Sequence, residues 1–419
     1  MLMQHRNSDH AIRVEIIQRH LAGESLPTIA QELLLNFYTV RKWRRIYKRV
    51  GWAALEPKPI GRYPTGRLSK FDPLVKYVVL HLKREHPGWG LDLIRLELQR
   101  RPSLKGRTLP GRTAIWNYIH AFYPRLMEHR RLPIQSPKAK VSDLNAVHQR
   151  WQMDFKGEVN LVGLGVVKPF IVCDELTSAP LGGIVHLVQQ EDQRFPLSFR
   201  DIQANLRLIF SQWGLPDQLR MDRDPLWIGS ARLEWPGTFL LWLVGLGITL
   251  VINRPRRPTD NAQVERQNRV WNEHVFLGTK CQHLAQLQTL TDRAWHDRRE
   301  LLPSRNPNCQ GQPPLVAHPE LAHPRRPYQP DQEQALFDMQ QVYHYLSQWQ
   351  WQRKVDCLGS ISMAHYTRRV SDQHVAHIVN VRFDLVTHAF VASAVDGTEL
   401  RRFTLPVISA DYIQGVSDL

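Results

Sequence analysis

The stretch from Arg254 to Glu273, RPRRPTDNAQVERQNRVWNE, constrains the fold more than any other part of the chain. Its prolines, Pro255 and Pro258, cannot lie in a central strand or a helix interior, because proline lacks an amide hydrogen and fixes its φ angle. The apolar run before them, GITLVIN, therefore predicts the end of a buried strand, and the prolines predict a loop. A helix is predicted to begin at 259–261, since Thr, Asp and Asn cap first turns.

This predicted helix has a polar and an apolar side. The polar side consists of residues spaced four, three and one apart: Asn261, Glu265, Asn268 and Arg269. The apolar side consists of residues spaced seven and four apart: Val264, Trp271 and Val275. Glu265 is thus directed outward, in a stretch that holds five arginines. Alone, this pattern is equally typical of a solvated helix with weak surface ion pairs, and acidic residues upstream decide between the two interpretations.

Length and composition indicate a folded protein of several domains. A chain of 419 residues exceeds what one hydrophobic core usually organises, and its 42% apolar and 22% charged residues are typical of globular domains. The longest apolar run, FLLWLVGLGITLVI, is too short and too glycine-interrupted to span a membrane. The polar N-terminus predicts no signal peptide, and four cysteines without a CxxC pair favour a reducing cytosol. We therefore expect a cytoplasmic protein without a membrane partner.

The excess of positive over negative charge lies in the first third of the chain. Residues 1–150 hold 28 lysines and arginines against 11 aspartates and glutamates, whereas the remainder holds 27 against 28. The net charge of +16 therefore comes from this third alone. Such asymmetry favours a module that neutralises phosphates, and hence a nucleic-acid partner.

Three short helices are predicted in the basic region, at Ala11–Gly23, Leu26–Leu34 and Tyr38–Val50, with Val50 on the inner face of the third. Their short connections are typical of a helix-turn-helix domain over 1–56, whose last helix lies in the major groove of DNA. The candidate DNA contacts on that helix are Arg41, Lys42, Arg44, Arg45 and Lys48. A basic but purely structural three-helix bundle is the alternative.

A proline-rich linker at 57–70 follows, with Arg62 and Arg67 as candidate groove contacts. A second helix-turn-helix-like domain is predicted over 71–130, from three further helical patterns: Asp72–Glu85, Leu91–Arg101 and Arg112–Tyr123. Candidate DNA contacts at the start of its last helix are Arg112, Thr113 and Asn117. A second linker at 131–148 marks the next boundary.

The pattern then changes to that of an α/β unit. Residues Arg150–Lys156 alternate, which places Asp154 on the open polar face of a short strand. Further elements are predicted in this order: strands Val167–Cys173 and Leu181–Val188, helix Phe195–Trp213, strand Gln218–Asp222, helix Phe239–Leu246 and strand Ile248–Ile252. Asp222 lies at a strand tip, and Asp174, at another strand end, is expected to shape a turn.

Three carboxylates, Asp154, Asp222 and Glu265, thus fall at strand and helix positions of one unit. Clustered carboxylates repel one another unless a cation lies between them, and hard oxygen ligands suit magnesium. Two such ions would activate a water or a 3′-hydroxyl and stabilise the leaving oxygen of a phosphodiester. Nearby arginines would then act as phosphate clamps.

The segments WQMDFK, MDRD and NRPRRPTDNAQVERQNR, and the order of elements, resemble the integrase-type catalytic core of DDE transposases, which has a ribonuclease H-like fold. The family motifs W-x-x-D, D-N-G and P-x-x-P-x-x-N-(x)3-E match Asp154, Asp222 and Glu265. The second motif departs from the family, because D-R-D replaces D-N-G. Asp224 therefore competes with Asp222, and the loss of the glycine is compatible with a decayed element.

The resemblance covers 149–302 and implies a DNA transposase of a bacterial insertion sequence or transposon. Asp154, Asp222 and Glu265 would hold two Mg²⁺, with Mn²⁺ as an alternative. Backbone contacts to double-stranded DNA would come from Arg254, Arg256, Arg257, Asn261, Arg266 and Arg269. The resemblance also implies a dimer or tetramer on DNA and a prokaryotic, nucleoid-associated location, and it leaves the need for an ATPase partner open. A catalytically inactive DNA-binding regulator and a nuclease without strand transfer are the alternatives.

The last third begins with a proline-rich connector and a helix, at 303–356, with the helix predicted over Asp331–Arg353. Alternating segments over 357–419 predict a five-stranded barrel that resembles the SH3-like or Mu-type domains attached to these cores. The Asp-Gly pair at 396–397 predicts a hairpin turn. The expected fold class is therefore multidomain: all-α helix-turn-helix modules, an α/β ribonuclease H-like core and a small all-β barrel.

Overall fold

The computed structural model describes residues 10–56, 68, 71–127, 143–228, 235–254 and 261–416. The chain divides into two compact units, at 1–70 and 71–419, and each unit is described by itself. Within the described ranges, no helix is long and apolar enough to cross a membrane.

The first unit consists of three helices, as predicted: α1 His10–Leu21, α2 Leu26–Glu32 and α3 Phe37–Val50. Ser25 and Asn36 cap α2 and α3, each accepting a hydrogen bond from a first-turn amide. Ile16, Ile29 and Val40 meet in a small core with no exposed surface. The prediction for Val50 is wrong, because its side chain is 56% exposed at the end of α3, where the chain turns away at Gly51.

The second unit combines helices with three sheets. Its helices are α4 Pro73–Glu85, α5 Leu91–Arg100, α6 Arg112–Phe122, α7 Phe199–Trp213, α8 Pro225–Ile228, α9 Thr238–Gly245, α10 Ala262–Trp271, α11 Leu284–Glu300, α12 Pro314–Ala317, α13 Glu333–Leu336, α14 Met339–Ser347 and α15 Ala410–Gln414. Its strands are β1 Arg150–Phe155, β2 Val159–Leu161, β3 Gly165–Asp174, β4 Pro180–Gln190, β5 Gln193–Arg194, β6 Gln218–Met221, β7 Thr249–Ile252, β8 Gln350–Lys354, β9 Ser360–Met363, β10 Tyr366–Arg369, β11 Ile378–Asp384, β12 Ala389–Ser393 and β13 Glu399–Phe403.

The central sheet is mixed, with strand order β5-β4-β3-β1-β6-β7 and β2 paired to β3. Strands β1, β3, β4 and β5 pair antiparallel, whereas β6 and β7 run parallel to β1. One face packs against α7 and α9, through Trp151, Met153 and Phe210. The other face packs against α10 and α11, where Val264 and Trp271 are fully buried as predicted.

Helices α4–α6 pack against the rest of the second unit through α5 and the loop before it. Trp89 donates a hydrogen bond from Nε1 to the His274 carbonyl oxygen, at 3.0 Å. Arg100 forms a bidentate ion pair with the buried carboxylate of Asp297 on α11. A Cβ at Gly88 would lie 2.3 Å from the Glu273 carbonyl oxygen, so only glycine permits this approach.

The single helix predicted over Asp331–Arg353 is wrong. The chain breaks at Phe337, whose ring packs against Gly245 of α9, and Asp338 then caps α14. Beyond α14, residues 350–354 pair with β11 as β8, which buries Trp351. Tertiary packing and strand pairing therefore override the local helical pattern.

Antiparallel sheets follow α14: a four-stranded sheet in the order β13-β12-β11-β8 and a β9-β10 hairpin. The predicted Asp396-Gly397 turn joins β12 and β13, and the amide of Gly397, in the left-handed region, donates to the Ala394 carbonyl oxygen. The sheets pack against the core, where the Trp235 ring lies 5.4 Å from Trp351 and 5.6 Å from Phe390.

The end of the chain packs on α7. Side chains of α7 donate hydrogen bonds to three consecutive carbonyl oxygens near the end of α15. Arg200 donates to Tyr412, Gln203 donates to Ile413, and Arg207 donates to Gln414. Arg207 also pairs with the buried carboxylate of Glu333, which accepts from Trp242 Nε1 at 2.9 Å and from the Tyr328 hydroxyl.

We expect Glu333→Gln to lower the free energy of unfolding by about 2 kcal/mol, because it leaves the partly buried Arg207 guanidinium without its countercharge. Urea denaturation followed by tryptophan fluorescence measures the change. Glu320→Gln is the matched control, since Glu320 is exposed and pairs only with His318; its expected effect is below about 0.5 kcal/mol. Equal effects of the two substitutions would contradict the role of the Glu333 network.

Candidate active site

Two of the predicted carboxylates lie on adjacent parallel strands. Gln152 of β1 pairs with Arg220 of β6, so two residues further on Asp154 and Asp222 are level with each other. Asp154 is in the body of β1, whereas Asp222 follows directly after Met221, the last residue of β6. The sheet therefore brings together two acids that are 68 positions apart in the sequence.

Helix α10 carries the third carboxylate and is held on β1 by Gln152. The Gln152 Oε1 atom accepts hydrogen bonds from the amides of Gln263 and Val264, at 3.2 and 3.1 Å. These amides belong to the first turn, so a side chain of the neighbouring strand provides the helix cap. Asn261, predicted to supply a cap, makes no such bond with its side chain. The sequence pattern placed Gln152 on an open face, and that part of the prediction is wrong because α10 covers it.

A second bond joins α10 to the site itself. Asn268 donates from Nδ2 to Asp154 Oδ2 at 2.9 Å, and therefore orients that carboxylate. Glu265, one turn earlier on the same helix, is exposed, in agreement with the predicted polar side. The predicted side also includes Asn261, but this residue is 7% exposed.

The electrostatics of Asp154 show that the three acids influence one another. Burial, followed by the charge of Asp222 and then that of Glu265, raises the pKa of Asp154 to about 7, against the opposing hydrogen bond from Asn268. Burial also raises the pKa values of Asp222 and Glu265. Within the described part of the chain, no lysine, arginine or histidine forms an ion pair with any of the three. The site is therefore a partly desolvated group of acids, in which the charge of Arg269 opposes the rise in the pKa of Glu265.

The donor chemistry of this group fits a divalent cation, because three carboxylates offer hard oxygen ligands whose mutual repulsion a cation would relieve. As they stand, the side chains do not form a closed metal cage: among the described residues, no three acidic, histidine or cysteine side chains are close enough to hold an ion. Asp154, Asp222 and Glu265 are the residues that could hold one after their side chains move together.

Asp224, the competitor of Asp222, has a different structural role. Its Oδ1 atom accepts from the amide of Leu226 at 2.9 Å, so it caps the short helix α8. Its own amide donates to Asp222 Oδ1 at 3.2 Å. Asp222 is the acid that the strand register places level with Asp154 and whose charge acts on it, and Asp224 supports the turn that follows Asp222. As predicted, Asp174 shapes another turn, by accepting from the amide and hydroxyl of Thr177.

The candidate DNA contacts on α3 form one exposed row. All of them are exposed and, within the described part of the unit, none forms an ion pair: Arg41, Lys42, Arg44, Arg45 and Lys48. Arg19, on α1, is instead neutralised by Glu24 and Glu32. In the described part of this unit, α3 therefore carries a group of exposed cations without ion pairs.

The other candidates are spread over the second unit. Arg112 and Thr113 are exposed at the start of α6, where Arg112 lies 3.4 Å from Asp92, and Asn117 is partly buried. Arg254 is exposed after β7, and Arg266 and Arg269 are exposed on α10. Four candidates lie outside the described residues: Arg62, Arg67, Arg256 and Arg257.

Comparisons with known proteins identify a domain and a set of similar structures. The family model "Helix-turn-helix domain" matches residues 12–63, so the first unit carries a helix-turn-helix domain. A chain of the simian T-cell lymphotropic virus intasome, solved in complex with a PP2A regulatory subunit, is 13% identical and covers 76% of this chain and 96% of its own, with a TM-score of 0.34.

Two integrase catalytic core domains are also similar. The HTLV-2 domain, solved in complex with magnesium, is 14% identical over 41% of this chain and 96% of its own, with a TM-score of 0.29. The BIV domain is 16% identical over 42% of this chain and 97% of its own, with a TM-score of 0.27. Identities and TM-scores this low leave the function to be argued from the residues of the chain itself.

We expect Asp154→Asn to stabilise the metal-free protein by about 2 kcal/mol near pH 8, because it removes one of three mutually repelling charges. An acid with a raised pKa destabilises the folded state when ionised, so the gain should shrink as the pH falls from about 7 toward 4. Thermal unfolding in EDTA measures it.

Asp292→Asn is the matched control, because Asp292 is exposed on α11 and the new asparagine keeps an acceptor for Gln288. This control should change the free energy of unfolding by less than about 0.5 kcal/mol, both near pH 8 and at about pH 4. A destabilised Asp154→Asn protein would contradict the charge cluster.

Proposed function

We propose that this protein is a DDE transposase or integrase, a polynucleotidyl transferase that binds transposon ends and joins them to target DNA. The observation that supports this most is that β1 and β6 place Asp154 and Asp222 level with each other, while Gln152 and Asn268 fix to β1 the helix α10 that carries Glu265. A solvated helix with surface ion pairs does not account for two further desolvated acids beneath it.

Asp154, Asp222 and Glu265 would hold two Mg²⁺, with Mn²⁺ as an alternative. When bound, the ions would activate a water or a 3′-hydroxyl and stabilise the leaving oxygen. The raised pKa of Asp154 describes the protein without metal; a bound cation would favour its ionised form.

The chain's own residues would bind and position the DNA. The helix-turn-helix domain would hold the terminal repeats through α3, with Arg112, Thr113 and Asn117 as further contacts, and Arg62 and Arg67 in the segment between. Phosphates at the active site would contact Arg254, Arg256, Arg257, Arg266 and Arg269. Asn268 would keep the Asp154 carboxylate oriented as the core hydrolyses a phosphodiester at each 3′ end and the freed 3′-hydroxyl attacks target DNA. Joining two ends together requires a dimer or tetramer.

Two other functions use the same elements. A regulator with an inactive core would bind DNA through α3 without cleaving it, and the D-R-D sequence at 222–224 is the feature that favours it. A nuclease of the same fold would cleave without joining. A short terminal duplex and a plasmid target in Mg²⁺ separate all three functions in one assay: joining, cleavage alone or binding alone.

We expect Glu265→Gln to reduce strand transfer at least about 100-fold, because one metal-binding carboxylate is lost while DNA binding is retained. Gel analysis of joined products measures this, with filter binding in EDTA as the control for DNA affinity. Glu273→Gln, two turns further along the same polypeptide, should stay within about threefold of the wild type. Strand transfer that is unchanged by Glu265→Gln would remove Glu265 from the site.

We expect Arg41→Ala combined with Arg45→Ala to weaken DNA binding and to lower the slope of log affinity against log salt by about 2, because each arginine neutralises about one phosphate. Fluorescence anisotropy across a salt series measures the slope. The double substitution Arg369→Ala and Arg402→Ala removes the same charge from the C-terminal sheets and should alter the slope less. Equal slopes for both double variants would argue against α3 as the principal DNA-binding helix.

A further inference from the structure

Four arginines of three different elements form a second cationic group beside the candidate active site. We call them the arginine ridge: Arg269 and Arg266 on α10, Arg298 in the last turn of α11 and Arg305 in the loop that follows. Arg269 lies one helical turn after Glu265, and Arg266 directly follows Glu265. The ridge therefore begins at the active-site helix and continues toward the end of α11.

Hydrogen bonds hold the loop of Arg305 close to α10. The neighbouring Asn306 donates from Nδ2 to Ser178 Oγ at 2.8 Å. The Ser178 carbonyl oxygen in turn accepts from Gln267 Nε2 at 2.7 Å, and the Ser178 hydroxyl bonds to Gln263. One serine thus connects the residue after Arg305 with the residue after Arg266.

The charges of the ridge repel one another. Burial, and after it the charges of Arg305 and Arg266, hold the pKa of Arg298 below its ordinary value. The Arg298 Nε atom is buried without a hydrogen-bond partner. Glu273 is the acid that acts on Arg298, and its influence is the smallest of those named.

Other arginines of this unit show what the ridge lacks. Arg100, Arg150 and Arg207 each lie within 3 Å of a buried carboxylate. Within the described residues, by contrast, no acidic side chain forms an ion pair with any member of the ridge. The charges of Glu265 and Glu273 act on Arg269 and Arg298 without forming an ion pair. Guanidinium groups held together without an ion pair cost free energy in the unbound protein, and an anion that contacts them together would recover it.

We infer that the arginine ridge binds successive phosphates of one DNA strand as it leaves the active site. This rests on the proposed function, because the ligand is the DNA on which Asp154, Asp222 and Glu265 would act. Arginine suits the task, since its planar guanidinium donates two parallel hydrogen bonds to a phosphate. The ridge adds Arg298 and Arg305, which lie 33 and 40 positions beyond Glu265, to the DNA-binding surface.

The test compares Arg298→Gln and Arg305→Gln with the wild type, using the full chain, a fluorescent DNA duplex and a salt series in EDTA. Each substitution should lower the slope of log affinity against log salt by about 1, because one phosphate contact is lost. Arg298→Gln should also raise the thermal midpoint of the DNA-free protein by about 2 °C, because it relieves repulsion among buried charges. A merely structural arginine would lower the midpoint instead.

Arg194→Gln is the matched control: Arg194 is exposed on β5, at the opposite edge of the sheet, and its substitution should leave the slope unchanged. Slopes that stay at the wild-type value in both ridge variants, or that fall equally in Arg194→Gln, would overturn the inference. If Arg298→Gln fails to fold, the salt slope of Arg305→Gln still tests the inference, because Arg305 is exposed. Binding in EDTA requires no chemistry, so failure of strand transfer and failure of the ridge are distinguished by separate measurements.

Discussion

The contact between Gln152 and the first turn of α10 determines whether the candidate site exists at all. Strand β1 and helix α10 are more than 100 positions apart, and each alone carries one acid of the site. The Gln152 amide oxygen provides the cap that the helix itself lacks, and Asn268 returns a hydrogen bond to Asp154 four residues further along the helix. Helix formation, docking and carboxylate orientation therefore depend on the same short segment of β1.

Two groups of like charge meet at α10. Of the acids Asp154, Asp222 and Glu265, the helix carries Glu265, and of the arginine ridge it carries Arg266 and Arg269. Proteins usually avoid leaving either kind of group without a partner, because both cost stability when partly buried. A complex of divalent cations with a phosphodiester would satisfy both groups at once, since the cations neutralise the acids and the phosphates neutralise the arginines. The proposed metal site and the arginine ridge would then contact the same ligand.

Most elements of the fold and the acids of the candidate site could be predicted from the sequence, because the patterns that indicate them lie within short stretches of the chain. Periodicity placed the helices of the first unit and of 71–127 within a few residues, and proline chemistry placed the start of α10. What it missed depends on contacts between distant segments. Gln152 was assigned to an open face because alternation within one strand does not reveal which helix covers it. The break at Phe337 depends on Gly245, and the proximity of Arg305 to Arg266 depends on Ser178.

The seating of α15 on α7 has a practical consequence for dissecting this protein. The catalytic core predicted from the sequence ends at 302, yet three side chains of α7 donate to backbone carbonyl oxygens at 412–414, and Glu333 in the connector pairs with Arg207. An excised fragment cut at 302 would expose these donors and the apolar residues beneath them to water. If this fragment were insoluble or poorly active, the cause would be the loss of α15 and Glu333 from the surface of α7 rather than a property of the candidate active site. A fragment that begins near 71 and retains the last helix preserves the native surroundings of the acids.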